Sequence, residues 1–597
     1  MGIRSCVRVL LTVVLALAAL LVGATAQSEA AGLPGPQTAH GSDHTLLIKP
    51  DGSLWSWGAN AAGQLGTGST GAQYPVAARV GTASDWAGVA CGDSFSFGIK
   101  SDGSLYAWGL NGSGQLGLGD AVNRTAPQRV GSDNDWVAVA GGNQHALALK
   151  SDGSLWTWGA NSFGQLGLGD TTDVSTPTRV GAATDWDVIA CGAEFSAALT
   201  SGRTLWVWGR NDRSQLGLGD TAERLAPTQV GSAADWTRFD CGDEDMRALK
   251  SDGTLWAWGF NSYGQLGLGD TAIRSAPTRV GADADWAAIA AGDDHSVALK
   301  SGGSLWTWGD NNYGQLGQGT ADNAAHPTPI RVGTATDWSR ILCGDDFTTA
   351  LRPGEALWGC GDNTTGDLSL GDLISRSTPT LLFILGDATP PGIASLTSST
   401  HPDSTTWYAD ADPSFSWSAS DASGIAGYKW VLDAFPGTAA AIGYPSTAMT
   451  KSYAGVTDGV QYFHVRAVDR AGNWGLTSTR QVKIDTTAPV TTQSGADDAW
   501  HTDPVTVTFT ATDALSGVSL TEYRVDDGQW TTGSAVTVSA AGTHTVGYRS
   551  LDNAGNVEAE KTCQVLIGTG SLTITVTAPA GTTSQAQGSA LPVTWTT

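Results

Sequence analysis

The chain has 597 residues, 41% of them apolar and 15% charged, with a formal net charge of −25 at pH 7. Length alone points to about four domains in a folded, charge-poor protein, and the acidic balance argues against nucleic acid as a partner, because phosphate binding needs clustered Lys and Arg. The 78 glycines exceed what ordinary turns require and point to many tight turns or a repeat.

At the N-terminus, Arg4 and Arg8 precede an apolar run from Val9 to Val22, and Ala24-Thr25-Ala26 follows as a small-x-small cleavage site. Residues 1–26 therefore read as a secretory signal peptide. The run is about fourteen residues where a membrane span needs roughly 20, and no comparable run follows. The mature chain is expected to begin near Gln27, to carry no transmembrane segment, and to be secreted or held at the cell wall through a part that would follow Thr597.

From residue 37 to 386 one unit repeats. W-x-W-G occurs at Trp55 to Gly58, Trp156 to Gly159, Trp206 to Gly209, Trp256 to Gly259 and Trp306 to Gly309, with variants at Tyr106 to Gly109 and Trp358 to Gly361. The spacing of 50 to 52 residues falls in the range of propellers and solenoids. Within residues 286–332 the unit predicts four short strands: DWAAIAAG, HSVALKS, SLWTWG and a P-x-R-V run reached through N-x-Y-G-Q-L-G. The Ser-Asp-Gly between the second and third strands predicts a type I′ hairpin. Strict alternation puts Trp306 and Trp308 on one face, so stacked copies would insert tryptophan pairs between neighbouring sheets. Most of the 25 tryptophans lie at W-x-W or D-W positions, and each large side chain buried contributes about 1.5–3 kcal/mol. No four-stranded unit can bury such a face alone. With no polar capping repeat visible, an all-β, seven-bladed propeller is the expected architecture.

Six cysteines follow the signal segment, an even number that permits disulfides in an oxidising compartment. Cys91, Cys191, Cys241 and Cys343, however, occupy one repeat position that holds Gly141 and Ala291 elsewhere. That position asks for small volume, so buried thiols are expected, with Cys191–Cys241 the pair to check.

The pattern G-x-x-H-[SA]-x-A-L followed by D-G-x-L-W-x-W-G-x-N-x-x-G-Q-L-G-x-G resembles the regulator of chromosome condensation repeat, over about residues 37–386. The resemblance implies a seven-bladed propeller and a role in protein recognition. Eukaryotic members of the family include a nuclear guanine nucleotide exchange factor, and a secreted bacterial relative inhibits β-lactamases through one propeller face. The chain departs from the exchange factor in its export signal and in lacking a basic tail or an inserted wedge loop. Ring closure is the open point, because the first unit has no D-W strand and the last ends in Leu381 to Leu385 instead of P-x-R-V.

Beyond Thr389-Pro390-Pro391 the composition shifts to Ser, Thr, Ala and Val in alternation, as in VTVTFTAT at 505–512, the pattern of a half-buried strand. Residues 392–485 and 488–567 resemble bacterial immunoglobulin-like or fibronectin-like β-sandwiches, and 571–597 the truncated start of a third. Asp-x-Ala-Gly-Asn at Asp469 and Asp552, with the turns at Asp421 and Asp513, offers carboxylates of the kind calcium takes, although these are also good turn sequences.

No nucleophile elbow, metal-spaced His and Cys set or phosphate loop is present, so no catalytic, cofactor or metal residue is assigned and an enzyme is not expected. His44, His145 and His295 share their repeat position with Phe95, Phe195, Asp245 and Phe347, which suits packing rather than chemistry. If D-W begins the innermost strand, the G-x-x-H turns encircle the channel mouth with Asp43, Asp93, Glu194, Asp243, Glu244, Asp293, Asp294, Asp345 and Asp346. The N-x-x-G-Q-L loops then return to that face with Phe163, Arg210, Arg213, Phe260, Tyr263 and Tyr313. Aromatics and Arg are enriched in binding hot spots, so this acidic centre and its rim form the candidate partner-binding surface, although Phe163, Tyr263 and Tyr313 also suit packing beside G-Q-L-G. The expected function is a monomeric extracellular protein-binding scaffold, with a surface adhesin or glycan binder and an exchange-factor-like regulator as alternatives.

Overall fold

A computed structural model describes residues 37–440 and 445–569, apart from the side chain of Ala72. The segments read as a signal peptide and as the start of a third tail module lie outside the described residues. Among those residues the structure is all-β, without an α-helix, and no helix is long and apolar enough to cross a membrane. The described residues gather into two compact units, one of those within Met1–Ser399, Phe415–Lys451 and Tyr462–Arg480, the other of those within Thr400–Ser414, Ser452–Gln461 and Gln481–Thr597.

The first unit contains a seven-bladed propeller. Its first sheet runs through Gln37–His40, His44–Ile48, Leu54–Asn60 and Gly71–Arg79, and six further four-stranded sheets follow over 86–129, 136–179, 186–229, 236–279, 286–331 and 340–384, each in sequence order. The first strands touch in a closed circuit that ends with Gln37–His40 against Arg340–Cys343. Every blade uses four consecutive strands, so the ring closes by packing faces and not by exchanging a strand. Gln37–His40 stands where other blades have the D-W strand. In the last blade Leu382, Phe383 and Leu385 join Leu47 and Trp57 of the first in one buried cluster, and Phe383 meets Trp57 edge to face at 5.5 Å.

Alternation along W-x-W has a more specific result than a wedged pair. The second tryptophan of each motif, Trp57, Trp108, Trp158, Trp208, Trp258 and Trp308, is fully buried. Its Nε1 donates to the backbone oxygen of the preceding blade, at Asp367, Gln64, Gln115, Gln165, Gln215 and Gln265 respectively, over 2.7–3.0 Å. The first tryptophan is only half-buried. Where the blade has a D-W strand it meets that indole edge to face, as Trp306 meets Trp286 at 6.0 Å, under the ammonium of Lys300 at 4.9 Å. The second glycine of G-Q-L-G has a positive φ, and at Gly66 a Cβ would stand 2.7 Å from the Trp108 Nε1. Glycine is required there twice over, by backbone and by space.

The other fixed residues of the motif serve its loop. Asn161 Oδ1 accepts from Leu166 N and its Nδ2 donates to Asp170 and Thr172 oxygens, while Gln165 Oε1 accepts from Phe163 N. The Ser-Asp-Gly hairpin is not type I′. Only the glycine has a positive φ, +76° at Gly153, and Gly153 N donates to Lys150 O while Lys150 N donates to Ser154 O. This is a type I turn closed by a glycine bulge. The aspartate is there because Asp152 Oδ1 accepts from both Ser154 N and Ser154 Oγ.

Past the propeller, a three-stranded sheet of Gly392–Ser398, Ser414–Ser420 and Thr450–Ser452 is followed by a second sheet ordered Trp407–Tyr408, Ser478–Ile484, Gly459–Asp469, Ile425–Asp433. The same plan recurs with Val490–Ser494, Val505–Thr512 and Ala535–Val538, and a five-stranded sheet that includes Val518–Val525, Gly542–Asp552 and Lys561–Ile567. In this second set Val505, Val507 and Phe509 share a buried cluster with Val546, Tyr548, Val565 and Ile567.

One buried pair was not foreseen. Arg247, completely buried, holds Asp245 through Nη1–Oδ1 at 2.9 Å and Nη2–Oδ2 at 3.1 Å, and its Nε donates to Ser296 Oγ at 2.5 Å. It replaces the contact that His145 Nε2 makes with Ser196 Oγ in an earlier blade. Removing one partner of such a pair strands a charge in the core and costs about 3–5 kcal/mol. Arg247→Ala is therefore expected to lower stability by that order, read by urea denaturation. Asp245→His together with Arg247→Val, the residues of the next blade, should recover most of the loss; equal loss in both variants would show that the pair does not carry the effect.

Candidate functional site

The G-x-x-H turns do surround the channel, but their acidic residues separate into two rings. The inner ring is Ser42, Asp93, Asn143, Ala193, Asp243, Asp293 and Asp345, of which all but Ala193 line one channel cavity together with the glycines and small residues before them. Successive turns are tied around this ring: Asp93 N donates to Gly142 O, Asn143 N to Ala193 O, Ala193 N to Asp243 O, and Ser42 Oγ to Asp93 Oδ1 at 2.7 Å. The cavity measures about 120 Å³, room for a few waters and well below the roughly 300 Å³ of a small-molecule site. A second cavity of about 140 Å³ adjoins it, sharing His40, Cys91, Cys191, Cys241 and Cys343 in its lining.

The outer ring, one residue on, faces the loops of the preceding blade. Asp294 Oδ1 accepts from Gln265 Nε2 at 2.7 Å and Asp346 Oδ1 from Gln315 Nε2 at 3.1 Å. Glu194 and Glu244 instead take arginine. Arg210 Nη1 lies 2.8 Å from Glu194 Oε2 and 3.3 Å from Glu244 Oε1, its Nε 2.7 Å from Asp212 Oδ1, and Arg213 Nε 3.6 Å from Glu244 Oε2. The guanidinium of Arg210 sits 5.4 Å over the Phe163 ring and that of Arg213 5.5 Å over Phe260, which meets Tyr263 at 6.5 Å. Five candidate residues from three consecutive blades thus form one alternating aromatic and cationic strip, with Glu244 at its centre. Tyr313 occupies the equivalent loop one blade on. Tyr263 and Tyr313 are 37% and 41% exposed, so neither fills a packing position. Asp243 and Asp293 belong to the channel, apart from this strip.

The other candidates have structural partners. His44, His145 and His295 are fully buried, burial holds them at about 3, about 4 and about 3, and Nε2 of each meets Ser96, Ser196 or Thr348 of the next blade. They are neutral rings that join blades. All six described cysteines are free thiols, Cys191 and Cys241 included, and burial pushes Cys360 up to about 12. In the tail, Asp387, Asp421 and Asp469 come together, as do Asp485, Asp513 and Asp552. Each carboxylate accepts turn N–H groups: Asp552 Oδ1 takes those of Ala554, Gly555 and Asn556, and Asp513 Oδ1 those of Leu515 and Gly517. That is turn chemistry.

Both rings carry a pH dependence. Burial first, then neighbouring carboxylates, pushes Asp293 well above the usual carboxylate range and raises Asp243 and Asp345, while Asp294 is pushed up to about 7 and Asp346 to about 6. Each group holds its proton more tightly folded than unfolded, where carboxyls titrate at about 4. Ionisation therefore opposes folding, and stability rises as pH falls from about 8 toward about 5. The melting temperature is expected to climb by a few degrees over that window, and Asp293→Asn with Asp345→Asn to flatten the climb. A wild-type curve that falls on acidification would contradict this reading.

The sequence matches the RCC1-like domain over residues 35–246 and the regulator of chromosome condensation (RCC1) repeat over 252–299 and 302–351. Probable E3 ubiquitin-protein ligase HERC3 of Homo sapiens is 37% identical over 93 residues, 15% of this chain and 9% of that protein. Ultraviolet-B receptor UVR8 of Arabidopsis thaliana is 34% identical over 93 residues, 15% of this chain and 21% of that protein. The matched stretch thus spans a small part of these relatives. Among solved structures, Prp20p of Saccharomyces cerevisiae, studied with its binding properties to Gsp1p and histones, aligns with 59% of this chain and 90% of its own at TM-score 0.52 and 21% identity. Human WBSCR16 aligns with 58% of this chain and 96% of its own at TM-score 0.51 and 22% identity. Repeat by repeat in sequence and blade by blade in fold, the propeller of this chain belongs to the regulator of chromosome condensation repeat family.

Proposed function

We propose that this chain is a secreted or cell-surface, non-enzymatic scaffold that binds a protein partner through the loop face of propeller blades three to six, with the tail modules as spacers. The observation that carries the reading is the strip of Phe163, Arg210, Arg213, Phe260 and Tyr263. It is ordered by ion pairs and ring contacts within the chain, yet leaves Arg213 and Tyr263 exposed. A preformed Arg and aromatic surface binds with little ordering cost. The small channel cavity supports recognition on the face over chemistry within. Protein binding described for Prp20p, on the same fold, supports the same reading, and the apolar segment before Gln27 supports export.

The test is capture from envelope and culture-supernatant fractions with the purified chain, followed by affinity measurement on the identified partner. Arg213→Glu and Tyr263→Ala are each expected to weaken binding at least tenfold with the melting temperature unchanged. Unaltered affinity in both variants would remove this face. Retention on polysaccharide without any protein band would replace the reading with a glycan-binding adhesin.

A further inference from the structure

At the junction of blades six and seven three side chains converge, from the position after W-x-W-G, the glutamine of G-Q-L-G, and the third position of the next blade's G-x-x-H turn. These are Asp310, Gln315 and Asp346. The Gln315 amide bridges the two carboxylates, donating to Asp310 Oδ2 at 2.8 Å and Asp346 Oδ1 at 3.1 Å. Where the ring closes, the set is Asp362, Asp367 and Asp43, because the motif reads G-D-L-S in the last blade. The bridging donor is gone and a third carboxylate stands in its place.

Oxygens of Asp43, Asp362 and Asp367 lie within 4.8 Å of one another, about twice the 2.3–2.6 Å over which calcium binds carboxylate oxygen. Asp362 is held in position by Thr364 N and Ser375 Oγ on Oδ1 and Thr364 Oγ1 on Oδ2. Asp367 is only 1% exposed; Thr365 Oγ1 donates to its Oδ2, and its Oδ1 has no hydrogen-bond partner. That oxygen lies against Gly58 beside the Asp43 turn: a Cβ built on Gly58 would stand 2.9 Å from Asp367 Oδ1 and 2.4 Å from the backbone oxygen of Asp43. A buried, unpartnered carboxylate oxygen is unfavourable unless something compensates it, and donors of this kind select hard divalent cations. Asp43, exposed on its turn, leaves an entry path.

We propose that Asp43, Asp362 and Asp367 bind one hard divalent cation of the calcium class, which ties the seventh blade to the first. The ion does at the closure what the Gln315 amide does one junction earlier. In the tail triads every carboxylate accepts a turn N–H group, whereas at the closure only Asp362 does and Asp367 Oδ1 is left without a partner.

The test uses the full chain after chelation. Calcium binding is counted by titration calorimetry, and the melting temperature is read with and without calcium, for wild type, Asp367→Gln and Asp43→Asn. Asp367→Gln restores the residue of the other six junctions; Asp43→Asn alters an exposed turn. Both are expected to bind one calcium fewer than wild type and to lose part of the calcium-dependent rise in melting temperature, whatever the tail triads contribute. Equal stoichiometry and an equal rise in all three proteins would overturn the site. So would a wild-type chain that calcium leaves unchanged while acidification alone stabilises it, since a shared proton would then be the compensating charge.

Discussion

The propeller depends on one hydrogen bond made between neighbours around the ring: a fully buried indole N–H donated to the backbone oxygen of the preceding blade's G-Q-L loop. Burying an indole is favourable only if its polar edge is satisfied, so the tryptophan cannot slip along the interface as an aliphatic side chain could. The bond sets the distance between sheets and the register of loop against blade. The same oxygen also accepts from a Ser or Thr of the next blade, as Gln165 O does from Ser196 Oγ. One carbonyl is thereby the common acceptor for two elements of its neighbour.

Seen this way, departures from the repeat fall at particular junctions. Between blades six and seven the indole is replaced by Cys360, whose Sγ reaches Gln315 O at 3.5 Å, a weaker donor with less area. In blade five the Arg247–Asp245 pair takes over the role of the histidine. At the closure Trp57 keeps its bond, now to Asp367 O. The joint between first and last blades is as well made in apolar terms as the others, and what distinguishes it is charge.

The two rings of acidic turns serve different ends. The inner one packs carboxylates around a narrow channel, where burial opposes their ionisation. The outer one supplies acceptors to glutamine amides at Asp294 and Asp346, in blades six and seven, and to arginines at Glu194 and Glu244, in blades four and five. That exchange of partners turns a structural position into a patterned surface, because an arginine long enough to reach the glutamate also reaches over an aromatic ring of the adjacent loop.

The four strands of each blade, the number of blades and the reason for the fixed glycines, asparagines and tryptophans were legible in the sequence, since period-2 alternation and a repeated turn motif are local properties. The type of hairpin was not. Asp-Gly suits two turn classes, and the choice fell to the aspartate's bonds to the following serine. Nor could alternation say which tryptophan of each pair lies between sheets, or that Arg247 would turn inward to meet Asp245 and Ser296. For the candidate site, the sequence supplied aromatic and arginine residues in consecutive units, but the division of the acidic turns into a channel ring and a loop-facing ring arises only when seven copies are bent into a circle. Contacts at the closure join residues more than three hundred positions apart, such as Asp43 and Asp367, and those distances are set by the ring, whose geometry no single repeat contains.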